Sequence, residues 1–368
     1  MRKGWEYKKL GEVCCPKSKI QRATKCFGGS DEILYIDISS IDNSVQEVNS
    51  ITSFTMSNAP SRAQQKVEYG DIIVSTVRPN LKNVAVIKQH NSNLVASSGF
   101  CVLRTTDDIE RNYLFRYITS DIFTQHLMKL TTGANYPAVR DLDVRDSTIP
   151  LPPKSTQLAI VSELDKINEL IRLKKEQLKD FDNLAQSLFY EMFGDPVENE
   201  KGWEVKKLGD VYKMKSGDSL STKNFIEGDI PVYGGNGISG YHNQYNKDGS
   251  YIIIGRVGVY CGNARIIKGQ FWLTDNAFEL FYDKSIQNEV FVCKLLNLLN
   301  LRQYANAAAQ PVISNNTLKH IPIPLPPLSL QRLFAQRIEQ IEREKSEVQK
   351  SIQDLETLLA SRMQYWFE

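Results

Sequence analysis

The sequence has little on which catalysis could rest. Its four histidines, His90, His126, His242 and His320, are too scattered to share a site. The six cysteines, Cys14, Cys15, Cys26, Cys101, Cys261 and Cys293, form no C-x-x-C pair and no metal-ligand spacing. They read as free thiols of a reducing compartment, with no metal bound. No Gly-Lys dipeptide occurs, which excludes a Walker A phosphate loop. G-x-S-x-G, H-E-x-x-H, the Asn/Asp-Pro-Pro-Tyr/Phe motif of amino-methyltransferases and a nuclease-type acidic–lysine cluster are likewise missing. No apolar run is long enough for a membrane helix, and the start MRKGWEYKKL has no apolar signal core. A cytoplasmic chain with no membrane partner is therefore expected. The net charge of +2 neither requires nor excludes nucleic acid, because a groove can be basic on a neutral protein. Gly235-Asn236-Gly237-Ile238-Ser239-Gly240 matches G-x-G-x-x-G, but the residues after it cannot open a helix. The dinucleotide fingerprint fails on that context, leaving a flexible, turn-rich loop as the expectation.

What is present is periodicity. From Ser155 to Phe193, Ile160, Leu164, Ile167, Ile171, Lys174, Leu178, Phe181, Ala185, Leu188 and Met192 follow alternating steps of four and three. Only Lys174 breaks the apolar series. A 3.5-residue repeat held this long is the coiled-coil condition. Pro152 and Pro153 stop helix upstream, Ser155 is a suitable N-cap, and Gly194 and Pro196 end the element. Such a helix spans about 58 Å at roughly 1.5 Å per residue and cannot bury its own seam.

Its partner lies 174 positions later. Shifting the seam gives Phe334, Ile338, Ile341, Lys345, Val348, Ile352, Leu355, Leu359, Arg362 and Trp366. The entry repeats as well: Ile149-Pro150-Leu151-Pro152-Pro153 returns as Ile323-Pro324-Leu325-Pro326-Pro327, and Gln157 returns as Gln331. A second repeat has an offset of 198, where GWEYKKLGEV (4–13) becomes GWEVKKLGDV (202–211). Two phased repeats in the same order mean internal duplication. The division is 1–153 and 195–327 for two globular domains, with helices over 154–194 and 328–368.

Both domains read as β-rich. Strands are expected at Ile33–Ile38, Asp71–Val77, Asn83–Ile87 and Gly99–Arg104, with one helix over Tyr113–Leu130. In the second domain YIIIGRVGVY (251–260) corresponds to DIIVSTVRPN (71–80), and Glu289–Leu301 supplies the helix. The scaffold repeats while the loops differ. Polar residues in those loops are the candidate recognition groups. Arg78, Asn80 and Lys82 follow a strand, and Arg and Asn can read guanine and adenine edges bidentately. Arg256 is expected at the comparable place, with Asn263 nearby. Asn135 and Tyr136 in the Gly133 loop, its counterpart Gln310, and Asn236 and Tyr241 in the glycine-rich stretch complete the DNA-binding candidates.

In this order, the motifs resemble the specificity subunit of type I restriction–modification systems over the whole chain. The resemblance implies an α+β fold with two β-rich target-recognition domains, each followed by a long helix. The two helices form an antiparallel coiled coil with internal pseudo-two-fold symmetry, paired through Ile160, Leu164, Ile167, Ile171, Leu178, Phe181 and Leu188 on one side. Phe334, Ile338, Ile341, Val348, Ile352, Leu355 and Leu359 form the other. It further implies recognition of an asymmetric, bipartite double-stranded DNA target and docking of two methyltransferase subunits. Two ATP-dependent motor-nuclease subunits are an optional addition. Catalysis then belongs to partners: no cofactor is expected on this chain, and S-adenosylmethionine is expected on the methyltransferase subunit. The other reading the residues allow is a protein scaffold or adaptor on the same duplicated frame, which reads no DNA.

Overall fold

The computed structural model describes residues 4–133, 137–306 and 310–368. The chain folds as two compact units, Met1–Lys174 with Ser351–Glu368, and Lys175–Lys350. Each unit therefore takes one globular region together with part of both long helices. Among the described residues, no helix is long and apolar enough to cross a membrane.

In the first unit, a three-stranded ladder runs in the order Phe100–Leu103, Ile72–Ser75, Val84–Val86. The apolar run Ile72-Ile73-Val74 is continuous because both faces of this ladder are covered. Ile72 and Val74 join the core shared with Leu114, Ile160 and Leu164, whereas Ile73 joins Ala85, Phe100 and Val102 on the opposite face. Four further strands pair in the order Thr52–Thr55, Glu32–Ile36, Leu94–Ser97, Ala63–Lys66. Glu6–Lys9 pairs with Thr148–Leu151, so the repeated head segment and the proline-rich entry form one ribbon.

The helix expected over Tyr113–Leu130 is two helices, Arg111–Ile118 and Asp121–Leu130. Thr119 and Ser120 divide it. The Thr119 hydroxyl donates back to the Phe115 carbonyl, and Ser120 Oγ accepts the Phe123 amide as the N-cap of the second helix. Local side-chain bonds of this kind compete with continuous helix. Tyr113 and Tyr117 then donate to the carbonyls of Pro150 and Thr148, fastening the first helix to the ribbon.

The second unit holds a six-stranded sheet in the order Lys213–Ser216, Ala277–Phe281, Lys247–Gly255, Ala264–Leu273, Ile230–Gly234, Gly237–His242. Its central register repeats the first unit at an offset of 180. Ile72 faces Val86 and Val74 faces Val84; Ile252 faces Ile266 and Ile254 faces Ala264. The glycine-rich stretch is not the loop expected from its composition. Gly237–His242 is a strand that pairs with Ile230–Gly234, with Gly235 and Asn236 at the turn and Gly237 at φ +104°. A two-residue Gly-Asn loop between strand-forming runs is a hairpin signal in its own right.

The long helices are Lys154–Phe193 and Leu328–Phe367, 40 residues each. Ser155 is not the N-cap. The Gln157 and Gln331 amides bond to the carbonyls of Pro153 and Pro327, so Ser155 and its counterpart Ser329 lie within the first turn. Gly194 (φ +76°) ends the first helix, and Trp203 Nε1 caps the Phe193 carbonyl at 2.8 Å. In the first unit, Glu163 forms a bidentate ion pair with Arg362 and accepts the Trp366 indole N–H at 3.1 Å. In the second, Lys345 meets Asp182 at 2.8 Å, while Phe334 packs on Phe189 and Phe193 with centroids 5.6 and 5.3 Å apart. There the later residues of one helix face the earlier residues of the other, so these segments run antiparallel. The internal repeat places Arg337 and Leu188 where the first unit has Glu163 and Arg362, and Glu356 and Ile171 where the second has Asp182 and Lys345. Each of these two ion pairs therefore has no counterpart in the other unit.

Of the seam residues, Ile160, Leu164, Ile167, Ile171, Leu188, Phe334, Ile341, Val348 and Ile352 are buried. Leu178, Phe181, Ile338, Leu355 and Leu359 are half-buried, as are Lys174 and Lys345.

Candidate nucleic-acid interface

The first unit has an open cleft of about 820 Å³ beside the end of the three-stranded ladder. Thr76, Phe100 and Val139, buried or half-buried, form its base, and the exposed Lys17, Gln21, Arg22, Lys25 and Gln64 stand at its rim. Two segments distant in sequence build that rim. The short helical turns Lys17–Lys19 and Ala23–Cys26 are joined to the strand Ala63–Lys66 by an Arg22–Gln65 bridge and by the Lys66 amide bonding to the Gln21 carbonyl. Gln65 is committed to structure, since its Nε2 donates to the carbonyls of Ser97 and Phe100 at 2.9 and 2.8 Å. Gln21 and Gln64 are exposed, and the Cys26 thiol donates to Gln21 Oε1 at 3.3 Å, which steers the amide. Lys17 lies 3.5 Å from Asp141; among the described residues, Arg22 and Lys25 have no carboxylate partner. An exposed rim of cations and amides offers charge for phosphates and forked donors and acceptors for base edges.

The second unit has an open cleft of about 490 Å³ at the matching end of its ladder. Val257, Thr274, Asn276 and Gln310 line it, with Ser221, Thr222 and Ser239 opposite. Among its described lining residues there is no charged side chain. Asn236 and Gln310, both singled out from sequence, are brought together here. Tyr241 is exposed on the neighbouring hairpin strand and Asn263 is exposed at the start of the next strand pair; neither lines the cleft.

Arg256 does not sit where Arg78 sits. The Arg78 amide donates to the Pro137 carbonyl at 2.7 Å, and in the second unit it is Gly258 that donates to the equivalent Pro311 carbonyl at 3.0 Å. Arg256 occupies the place of Thr76: their carbonyls accept the Ile313 and Val139 amides. Its guanidinium is half-buried over the Phe278 ring at 5.5 Å and near Ser216 Oγ at 3.4 Å, which is a packing role. The repeated loop demands a left-handed residue. Gly258 meets the demand at φ +93°, whereas Arg78 adopts φ +49° and Lys82 φ +51°. Left-handed backbone costs a non-glycine residue about 1–2 kcal/mol, and such strain points to a use for the side chain. Arg78 and Asn80 are exposed; Lys82 is held by Asp121 at 2.6 Å. Asn135 and Tyr136 lie outside the described residues.

Sequence reasoning missed Lys17, Gln21, Arg22, Lys25 and Gln64. The available signal was compositional: 16–26, PKSKIQRATKC, is basic and free of carboxylates.

The chain matches the family described as "Type I restriction modification DNA specificity domain" over residues 2–180 and again over 200–357. It is 31% identical over 246 residues to the Type I restriction enzyme EcoprrI specificity subunit of Escherichia coli, covering 62% of this chain and 60% of that protein. To the MjaIX specificity subunit of Methanocaldococcus jannaschii it is 28% identical over 162 residues, covering 40% of this chain and 37% of the relative. The chain thus spans less than two thirds of the length of these curated relatives. A solved structure described as "Structural basis underlying complex assembly and conformational transition of the type I R-M system" contains a chain with a TM-score of 0.71 at 28% identity, covering 99% of this chain and 97% of that one. The crystal structure of the HsdS subunit from Thermoanaerobacter tengcongensis gives a TM-score of 0.50 at 28% identity, over 100% and 97% of the two chains. With the duplicated frame, the paired long helices and two separate matches, the chain belongs to the type I restriction–modification DNA specificity family and carries its domain twice.

Proposed function

We propose that the chain is the target-reading subunit of a type I restriction–modification complex, with each β-rich domain reading one half of a split duplex sequence. The observation that carries this reading is the pair of clefts at matching ends of a repeated ladder, one rimmed by Lys17, Arg22, Lys25 and glutamines, the other neutral and lined by hydroxyls and amides. One scaffold with two different linings suits two different half-sites. Gln21 and Gln64 are assigned to base edges, Arg22 and Lys25 to phosphates or guanine, and Asn236 and Gln310 to base edges of the second half-site. Arg78 and Asn80 extend the first surface.

Methyl transfer is assigned to two partner subunits carrying S-adenosylmethionine, which dock along the long helices; two motor-nuclease subunits join where the system also cuts. The helix pair acts as the spacer between the half-sites. The reading is tested by methylome sequencing of cells that express the chain with its methyltransferase subunit. Replacing Gln21 and Gln64 with alanine is expected to relax or abolish recognition in one half of the methylated motif and leave the other unchanged. An unaltered motif at parental methylation would remove these residues from the reading set.

A further inference from the structure

The entry to each long helix contains a buried amide that packing alone does not explain. Gln157 is 1% exposed and Gln331 is fully buried, and they are related by the helix repeat. Gln157 Oε1 accepts the Glu110 amide at 2.8 Å, and its Nε2 donates to the Pro152 carbonyl at 2.9 Å. Gln331 repeats the arrangement: Oε1 accepts the Asn288 amide at 2.9 Å, and Nε2 donates to the carbonyls of Pro326 at 2.7 Å and Ile286 at 3.2 Å. Glu110 and Asn288 are the N-cap residues of the helices Arg111–Ile118 and Glu289–Leu298, which pack on the two domains. In both units, then, one side chain joins three things: the proline-rich strand end, the first turn of a long helix and the start of the helix that rides on the recognition domain.

The chemistry of the joint selects glutamine. An ionised carboxylate would accept but could not donate, leucine could do neither, and methionine offers only a weak thioether acceptor and no donor. Apolar packing around the joint is non-directional, whereas a buried amide with donor and acceptor both satisfied fixes rotation as well as distance. The first unit reinforces the joint through Arg116 and Asp165, 2.5 Å apart.

We propose that Gln157 and Gln331 are positioning residues for DNA reading: they lock the angle at which each domain meets its long helix, and so restrict the complex to a single spacer length between half-sites. This rests on the proposed function. One base pair moves a half-site by about 3.4 Å along the duplex and turns it by about a tenth of a revolution. A domain free to pivot by that amount could engage a half-site one position nearer or farther.

Gln157→Met and Gln331→Met, made separately in the full chain and expressed with the methyltransferase subunit, test the proposal by methylome sequencing. Motifs with spacers one base pair shorter or longer are expected beside the parental spacer, with both half-site sequences unchanged. A merely structural glutamine would lower the melting temperature without moving the spacer. Retention of the single parental spacer by a variant that still methylates overturns the proposal. Should the methionine variants fail to fold, Gln157→Asn and Gln331→Asn keep the amide one methylene short, and the same shift is expected. Variants that melt cooperatively but methylate nothing, or change a half-site, overturn it too, by assigning the amides to docking or reading. A parental motif that proves unsplit would instead refute the proposed function, so the two failures are distinguishable.

Discussion

Replacing Arg22 and Lys25 together with alanine separates the two clefts by their electrostatics. Both residues are exposed on the rim of the larger cleft, and among the described residues neither is neutralised by a carboxylate. Lys17 is set aside because Asp141 lies 3.5 Å from it. Each phosphate contact contributes about 0.9 to the slope of log K against log salt on B-form DNA, so the double variant should lose about 1.8. Between about 50 and 200 mM salt, that difference is about twelvefold: the parental affinity falls by that much more than the affinity of the variant. Fluorescence anisotropy of the complex with its methyltransferase subunit, titrated onto a cognate duplex at several salt concentrations, reads the slope directly. The matched control is Asn236→Ala with Gln310→Ala in the second cleft. It removes no charge, so affinity for the cognate duplex should fall while the slope stays parental. Parallel slopes for parent and Arg22/Lys25 variant would refute phosphate contact. Loss confined to the cognate duplex, of about 1–3 kcal/mol, would place Arg22 on a base instead.

Further outcomes follow from single residues. Arg78→Gly keeps the left-handed loop, since Gly258 holds the matching position at φ +93°, and should weaken DNA binding; anisotropy checks it, and unchanged affinity would remove Arg78 from the first surface. Hydrogen bonding from Arg362, and then from Trp366, holds the Glu163 carboxyl below its ordinary value. Its contribution is therefore fully present above the unfolded-state value of about 4.3 and is lost as pH falls through the lower folded-state value. Glu163→Gln should flatten the acid limb of the stability curve below about pH 4.5, and an unchanged limb would dismiss the pair. Phe334 is fully buried against Phe189 and Phe193. Phe334→Ala should cost about 3–5 kcal/mol in urea unfolding, and a cost under about 1 kcal/mol would show that this contact adds little to the helix pairing.

The long helices were the most legible part of the chain. A 3.5-residue period sustained over forty residues, and repeated at an offset of 174, leaves no rival element. The ladder was also readable, because Ile72-Ile73-Val74 and Ile252-Ile253-Ile254 are apolar on both faces. Capping was less so: Pro153 and Pro327 supply the first carbonyl acceptors, and the attractive serines fall inside the turn. The break at Ser120 escaped a periodicity argument because the apolar spacing continues across it. Arg256 matches Arg78 in residue type but Thr76 in register, and only the strand pairing reveals the register. The basic run 16–26 is visible in the sequence, but the cleft it helps to form is not. Its rim joins residues 17–26 to residue 64 through a bridge that exists only once the strands have paired.

The central claim is that the two domains read the two halves of a split target independently. Exchange of residues 1–150 for those of a relative with a known different motif, followed by methylome sequencing of cells expressing the chimera with its methyltransferase subunit, tests it most directly. One half of the methylated motif is expected to change to the donor's while the other half and the spacer stay the same. Change in both halves, or in neither, would contradict it.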